Sequence, residues 1–402
     1  MRIFFSAGEP SGDLHAANLI AALSDCRPGV ECLGFGGPRM AAAGCRVIFP
    51  LVNLSIMWFA RVLARLHLFL DLASRADRLF RHHRPDAVVL IDYPGFNWWI
   101  ARRAAFHHIP VFYYVPPQLW AWGGWRVRKM RRYVDHVLCS LPFEVPWYTQ
   151  RGVAATHVGH PFFDELSSRR LDPAFLAAER SRGGRIVALL PGSRTQELEH
   201  NFATLLSTAA AVACRVPDAR FLVAAFKDEH RRLAERATAD HRRTAGRPLD
   251  IEVHTGRTPE IIRLAAVCAA VSGSVGLELL YEAKPSVVLY KVSPLAVRLA
   301  RRFMHVPYIS LVNLLAQREL MPEFLTARDE TEALSAHLIR WLTDASAYAS
   351  TTAALTALRD QVAAPGASTR AAQYILAAAD RPRSHGGPHF GIRRTIRQSS
   401  NR

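Results

Sequence analysis

No two of the six cysteines form a CxxC pair. Cys26, Cys32, Cys45, Cys139, Cys214 and Cys268 are scattered, which argues against a zinc site and a disulfide framework and leaves reduced thiols as the expectation. Long apolar runs are missing as well. None reaches the ~18 residues of a membrane span, and the short run after Met1-Arg2 is no signal peptide, so a cytoplasmic chain is expected. No GxGxxG follows the first strand pattern, which disfavours a dinucleotide dehydrogenase. Acidic residues are in short supply: 34 Asp and Glu stand against 51 Lys and Arg, for a formal net charge of +17. Such a balance implies an anionic partner, whether nucleic acid, an anionic membrane surface or a phosphorylated substrate.

Among what is present, the stretch ALLPGSRTQE at 188–197 carries the most chemistry. An apolar strand pattern ends at Pro191-Gly192-Ser193-Arg194 and a helical pattern starts behind it. Gly192 lets the backbone approach a ligand, Ser193 is placed to cap the helix, and the helix's first amides favour an anion. Arg194 adds a planar, always-charged fork for phosphate. A second turn of this kind, Ser272-Gly273-Ser274-Val275-Gly276, follows the apolar run 267–271 and precedes another helical pattern. Two such turns on one sheet can share one nucleotide. Glu278, one helical turn beyond Ser274, is placed for ribose hydroxyls.

The chain opens with the same device. A strand pattern over 2–6 leads into Ala7-Gly8-Glu9-Pro10-Ser11-Gly12-Asp13, in which Ser11 or Asp13 would cap the following helix. Apolar residues at helical spacing over 54–80, with Trp58 and Phe59 beside Arg61 and Arg65, predict an amphipathic helix that either packs on the core or lies on a membrane interface. Next, 86–91 reads as a buried strand with Asp92 at its carboxyl end, where sites of open parallel sheets lie. A carboxylate in that apolar setting suits a general base, or else caps the next helix. Aromatics at 120–122 and the basic run 126–132 would stack on bases or pack against a ring or acyl chain.

A polar stretch up to Gly184, after His160-Pro161, marks the domain boundary, and His160 reads as a turn residue. Strands then alternate with helices again, so the fold expected is α/β, two facing Rossmann-like domains with an interdomain cleft. The divisions are 1–165 and 166–330, with helices at 331–380 and a basic tail at 381–402 that contains no acid and is expected to be disordered.

These stretches, read together, resemble the bacterial lipid A disaccharide synthase family over roughly 1–375. The matching segments are SAGEPSGDLHAANL near the start, GFGGPRM at 34–40, IDYPGFN at 91–97, VPPQLWAW at 115–122, LPFE at 141–144, VGHP at 158–161, LLPGSRTQE at 189–197 and YISLVNLLAQREL at 308–320. The resemblance implies an inverting glycosyltransferase of the GT-B fold. It would join UDP-2,3-diacylglucosamine to 2,3-diacylglucosamine 1-phosphate, giving a β-1,6-linked disaccharide 1-phosphate and UDP, with no cofactor and no bound metal. In that pattern Asp92 matches the base. Gly192, Ser193, Arg194, Glu197, Ser272, Gly273, Ser274, Glu278, Asn313 and Glu319 match the donor side, and Ser11, Gly12 and Asp13 the acceptor side. A homodimer with exchanged C-terminal segments and peripheral attachment to the inner membrane are implied too.

The chain departs from the family pattern in places. Trp58 and Arg61 stand where many members carry Gly and Glu, so Arg61 is a candidate contact for the acceptor's 1-phosphate. Val312 and Gln317 replace the commoner Pro and Gly. Two other classes compete. A UDP-sugar 2-epimerase-like isomerase shares the architecture but needs several acid and base residues around the sugar, where only Asp92 stands out. A basic nucleic-acid-binding protein would leave both phosphate turns unexplained, so no nucleic-acid partner is expected.

Overall fold

The computed structural model describes residues 1–55, 66–245, 249–271, 273–304 and 306–380. Trp58, Phe59, Arg61, Ser272 and the tail at 381–402 lie outside the described residues. The chain divides into two units, Met1–Glu165 together with the chain from Ala364 onward, and Leu166–Ala363.

In the first unit, seven strands alternate with helices: β1 (Arg2–Ala7), β2 (Glu31–Phe35), β3 (Arg46–Phe49), β4 (Ala87–Ile91), β5 (Val111–Tyr114), β6 (His136–Cys139) and β7 (Ala155–His157). They pair parallel throughout, in the order β3-β2-β1-β4-β5-β6-β7. Because side chains alternate across a strand, neighbouring apolar residues feed opposite faces. Phe4, Leu90 and Tyr113 enter one core with Leu72 and Phe80, while Phe5, Ile91 and Tyr114 enter the other with Leu19 and Ile375. Phe4 meets Phe35 and Phe80 edge to face at 5.3 and 5.1 Å. Truncating it to Ala would cost roughly 3–5 kcal/mol.

The second unit repeats the plan with β8 (Arg185–Leu190), β9 (Ala219–Ala225), β10 (Ile251–Thr255), β11 (Val267–Val271), β12 (Ser286–Lys291) and β13 (Glu323–Thr326), ordered β10-β9-β8-β11-β12-β13 and parallel. Val187, Leu189, Phe221 and Val223 line one face, and Ile186, Ala188, Leu190 and Leu222 the other.

The expected helical stretch at 331–380 is three helices that do not form a body of their own. Thr331–Thr343 and Ala345–Val362 pack within the second unit, whereas Ala367–Ala379 lies on the helix Pro10–Cys26 of the first. Asp164 fastens that return. Its carboxylate accepts the backbone amides of Gly366, Ala367 and Ser368 at 2.6, 3.1 and 2.9 Å, closing the amino end of the last helix with a negative charge. Beyond the expected strands, the short edge strands β3 and β13 complete the two sheets.

In both sheets the strand order reverses once, between β1 and β4 and between β8 and β11. Parallel α/β sheets open a crevice at such a switch point, outside the carboxyl ends of the strands. Register places Ala7 beside Ile91 and Leu190 beside Ala270, so Gly8 and Asp92 are neighbours in the first unit, as are the turns after Leu190 and Val271 in the second.

Candidate functional site

Asp92 follows the last residue of β4 in a left-handed conformation, φ +43°, and Tyr93 repeats it at φ +44°. Two consecutive non-glycine residues there cost roughly 1–2 kcal/mol each. The strain is held by hydrogen bonds from buried side chains. The Asp92 carbonyl accepts from Asn97 Nδ2 at 2.8 Å and from the Tyr113 hydroxyl at 2.6 Å. Asn97 is itself fixed by Ser6, whose hydroxyl donates to Asn97 Oδ1 at 2.6 Å. Tyr93 then lays its ring over Gly8, where a Cβ would stand 2.2 Å from Tyr93 Cδ1, so only glycine fits.

This turn sets the chemistry of the carboxylate. Burial, with the negative charge of Glu9 adding to it, pushes the Asp92 carboxyl up to about 6, opposed by a hydrogen bond from the Tyr93 amide. An acid with a proton affinity near working pH is matched to accept and release a proton. Asp92 caps nothing: the helix Pro94–Phe106 begins behind Tyr93 with no side-chain cap.

The other candidates of the first unit have different uses. Asp13 is buried, and its carboxylate accepts the amides of Gly37, Arg39 and Met40 at 2.9, 3.0 and 3.1 Å, so it ties the GFGGPRM turn to the first helix. Neither Ser11 nor Asp13 caps that helix, which starts at Pro10 without a side-chain cap. Ser11 is exposed beside the switch point and Gly12 is buried against Ala7 and Ile91. His15 and His160 meet edge to face at 5.9 Å, and burial lowers both, to about 4 and about 3, so they are neutral at physiological pH.

Sequence reasoning missed Glu144. It is fully enclosed, accepts Trp120 Nε1 at 3.0 Å and the amides of Ser140 and Leu141 at 3.1 and 3.0 Å, and so binds the VPPQLWAW loop to the LPFE turn. Burial pushes its carboxyl up to about 7 against those bonds. A Glu directly after Pro-Phe, capping its own turn, was the only sequence signal.

In the second unit Gly192 adopts φ +103°, and a Cβ there would meet Glu197 Oε2 at 2.6 Å. The helix Thr195–Arg215 begins behind Arg194, so the position preceding it belongs to Arg194 rather than Ser193. Glu197 folds back over the turn. Its Oε2 accepts the amides of Ser193 and Arg194 at 3.0 and 3.2 Å, and its Oε1 accepts Arg194 Nη1 at 3.0 Å. The donors suited to a phosphate thus hold a carboxylate of the same chain. Beside them, buried His230 meets Thr195 Oγ1 through Nε2 at 3.1 Å.

Gly273 and Ser274 form the turn after β11, both exposed, at the start of the helix Val275–Tyr281. Glu278 on that helix is buried and paired with Arg169. Asn313 is buried and committed: Nδ2 donates to the Met321 carbonyl at 2.7 Å and Glu323 Oε2 at 3.0 Å, and Oδ1 accepts the amides of Leu320 and Met321 at 2.8 and 2.9 Å. It shapes the segment 310–323, in which Glu319 accepts the Glu323 amide at 3.4 Å. Gln317, where the family more often has Gly, is left-handed at φ +54° directly after the helix Leu311–Ala316. A glycine there would relieve roughly 1 kcal/mol. The three acid and imidazole groups at Glu179, Glu252 and His254 have metal-ligand spacing, but Arg220 and Arg182 already pair with the two carboxylates.

Known proteins resemble this arrangement at two levels. A family model described as lipid-A-disaccharide synthetase matches residues 3–378. The lipid-A-disaccharide synthase of Anaeromyxobacter dehalogenans strain 2CP-1 is 36% identical over 380 residues, covering 93% of this chain and 97% of that protein. The one from Geobacter metallireducens is 32% identical over 376 residues, covering 93% and 96%. Among solved structures, the UDP-GlcNAc 2-epimerase of Neisseria meningitidis bound to UDP-GlcNAc superposes with a TM-score of 0.59 at 11% identity, covering 94% of this chain and 99% of that one. At that identity the likeness shows the fold alone, the two-sheet α/β architecture of GT-B enzymes.

Proposed function

The chain belongs to the lipid-A-disaccharide synthetase family, and from that premise we propose how its residues carry out the family's glycosyl transfer. The reaction joins UDP-2,3-diacylglucosamine to 2,3-diacylglucosamine 1-phosphate and releases UDP. The observation that carries the assignment of roles is Asp92, held in a strained turn at the switch point of the first sheet with its carboxyl pushed up to about 6. Asp92 takes the proton of the acceptor's 6-hydroxyl as that oxygen bonds to the donor's anomeric carbon. The bond from that carbon to the diphosphate breaks on the opposite side, so configuration inverts to β.

Negative charge gathers on the departing UDP. Arg194 and the amides at Ser193 and Arg194 receive it, which is the electrostatic help such a leaving group requires. The first unit holds acceptor, with Ser11, Gly12 and Arg61 in the proposed contact set, and Asp13 supports that surface by fixing the neighbouring turn. The second holds donor, with Gly192, Ser272, Gly273, Ser274, Glu278 and Glu319 around the nucleotide and Asn313 shaping the adjoining segment.

Substrates with acyl chains bring the protein to a lipid surface, and the proposal places it peripherally on the cytoplasmic face of the inner membrane, as a homodimer. No helix among the described residues is long and apolar enough to cross a membrane. The helix Pro294–Phe303 supports surface attachment: Leu295, Arg298, Leu299 and Arg302 are exposed at helical spacing, an apolar and basic face with no acid in the helix.

Purified protein should release UDP from UDP-2,3-diacylglucosamine only when the acyl-glucosamine 1-phosphate is present. Turnover without that acceptor would favour the isomerase instead. A particle mass of twice 44.8 kDa by light scattering is the result expected for the dimer.

A further inference from the structure

Two side chains converge on one carbonyl oxygen. The backbone of Asp92 and Tyr93 runs left-handed at φ +43° and +44°, a conformation that two consecutive side-chain-bearing residues keep only when their surroundings impose it. The surroundings are specific. Tyr113, on the neighbouring strand β5 and without solvent exposure, donates its hydroxyl to the Asp92 carbonyl at 2.6 Å. Asn97, equally buried, sends Nδ2 to the same oxygen at 2.8 Å, while that amide also contacts the carbonyls of Ile91 and Ser6 at 3.2 Å each.

The polar character of Asn97 and Tyr113 has no solvent to satisfy it. Asn97 stands among Phe96, Trp98 and Ile100, and the Tyr113 ring lies 5.8 Å from that of Trp98. An apolar residue at either place would suit the core better, unless the hydrogen bonds serve the turn.

We propose that Asn97 and Tyr113 are positioning residues for the reaction: by clamping the Asp92 carbonyl from two sides they impose the left-handed turn that keeps the Asp92 carboxylate at the sheet edge, poised beside Gly8 and Glu9. Neither touches substrate. The inference rests on the reading of Asp92 as the base and adds to it the device that aims the base and keeps it desolvated.

Loss of the clamp has a directional consequence. Released, residues 92–93 relax toward ordinary backbone and the carboxylate gains water. Burial is the largest cause of its raised proton affinity, so its titration moves down toward an ordinary carboxylate. The other groups facing it are Glu9 from the turn after β1, Tyr93 itself and Tyr113, on which Arg126 acts in turn. The phenols of Tyr93 and Tyr113 are both pushed upward and stay neutral throughout the working range.

Asn97 variants risk the fold, because Ser6 depends on Asn97 too. Tyr113→Phe deletes one hydroxyl and keeps the ring, so it is the variant to measure, with near-UV circular dichroism to establish that its packing matches the wild type. The readouts are kcat, KM for both substrates and the pH profile of kcat, with Asp92→Asn alongside. The expected result is a roughly tenfold lower kcat, equivalent to about 1.4 kcal/mol of activation free energy, KM values within about twofold, and an acidic limb displaced below that of the wild type. An acidic limb that stays in place overturns the inference, whatever happens to melting temperature. If Asp92→Asn retains turnover, the base assignment itself fails. If Asp92→Asn is inactive while Tyr113→Phe matches the wild type in kcat and limb, only the positioning role fails.

Discussion

The Glu197 carboxylate accepts the Ser193 backbone amide at 3.0 Å, and with it the Arg194 amide and guanidinium, the donors of the PGSR turn proposed for the diphosphate. A carboxylate there satisfies the donors, so the diphosphate proposed for this turn would compete with it. Glu197→Gln keeps the shape but removes the competing charge. UDP should then bind about fivefold to tenfold more tightly, on the order of 1 kcal/mol, by isothermal titration calorimetry. Weaker binding would instead make Glu197 a direct contact of the donor.

Asp13 carries the opposite lesson, since its position in a Gly-rich motif suggests ligand binding and its hydrogen bonds are structural. Asp13→Ala strands three buried or half-buried amides. We expect roughly 3 kcal/mol of lost stability with acceptor KM unchanged for the folded protein, read by denaturant titration and steady-state kinetics. An intact stability with a raised acceptor KM would return Asp13 to the binding surface.

Asp92 should weaken the fold it serves. Its carboxyl titrates at about 6 in the folded chain against an ordinary 3.8, so the neutral form is the one the fold prefers. The stability this confers is complete below the ordinary value and is lost as pH rises through about 6. Asp92→Asn therefore melts higher than the wild type at pH 8, by the equivalent of roughly 2–3 kcal/mol, and the advantage disappears near pH 4. Equal melting at both pH values would mean that Asp92 is not held in a desolvated site.

The exposed face of Pro294–Phe303 predicts salt-sensitive attachment to anionic vesicles. Arg298→Glu together with Arg302→Glu should weaken co-sedimentation with phosphatidylglycerol vesicles by roughly 1 kcal/mol per residue, while leaving binding of UDP unchanged. Undiminished sedimentation would assign attachment to another surface.

Much of the fold was legible because buried parallel strands read as unbroken apolar runs. AVVLI before Asp92 and VCAAV before residue 272 needed only their length and their flanking turns. The edge strands β3 and β13 lack that signal. They are four residues long and mostly half-exposed, so RVIF and EFLT look like any short loop with a few apolar residues. The site divides along a similar line. A motif shows which donors and acids are near one another in sequence, so Asp92 and Arg194 could be picked out as candidates. It does not show where a side chain turns: Glu197 folding back on its own turn, Asp13 reaching to residues 37–40 and Asn313 reaching to 320–323 are consequences of tertiary packing. In the clamp on Asp92, Asn97 lies five residues on in the following helix, whereas Tyr113 is 21 residues away on the adjacent strand β5, and only the strand register brings it there.

The most direct measurement is disaccharide 1-phosphate formation from UDP-2,3-diacylglucosamine and 2,3-diacylglucosamine 1-phosphate by the wild type and Asp92→Asn, followed across pH 4.5 to 8.5 by mass spectrometry. If Asp92 removes the proton of the acceptor's hydroxyl, wild-type activity climbs with pH through about 6 and then levels, and the variant is slower by roughly a thousandfold with UDP affinity intact. A variant that makes disaccharide within about tenfold of the wild-type rate, with the same pH profile, would contradict that role.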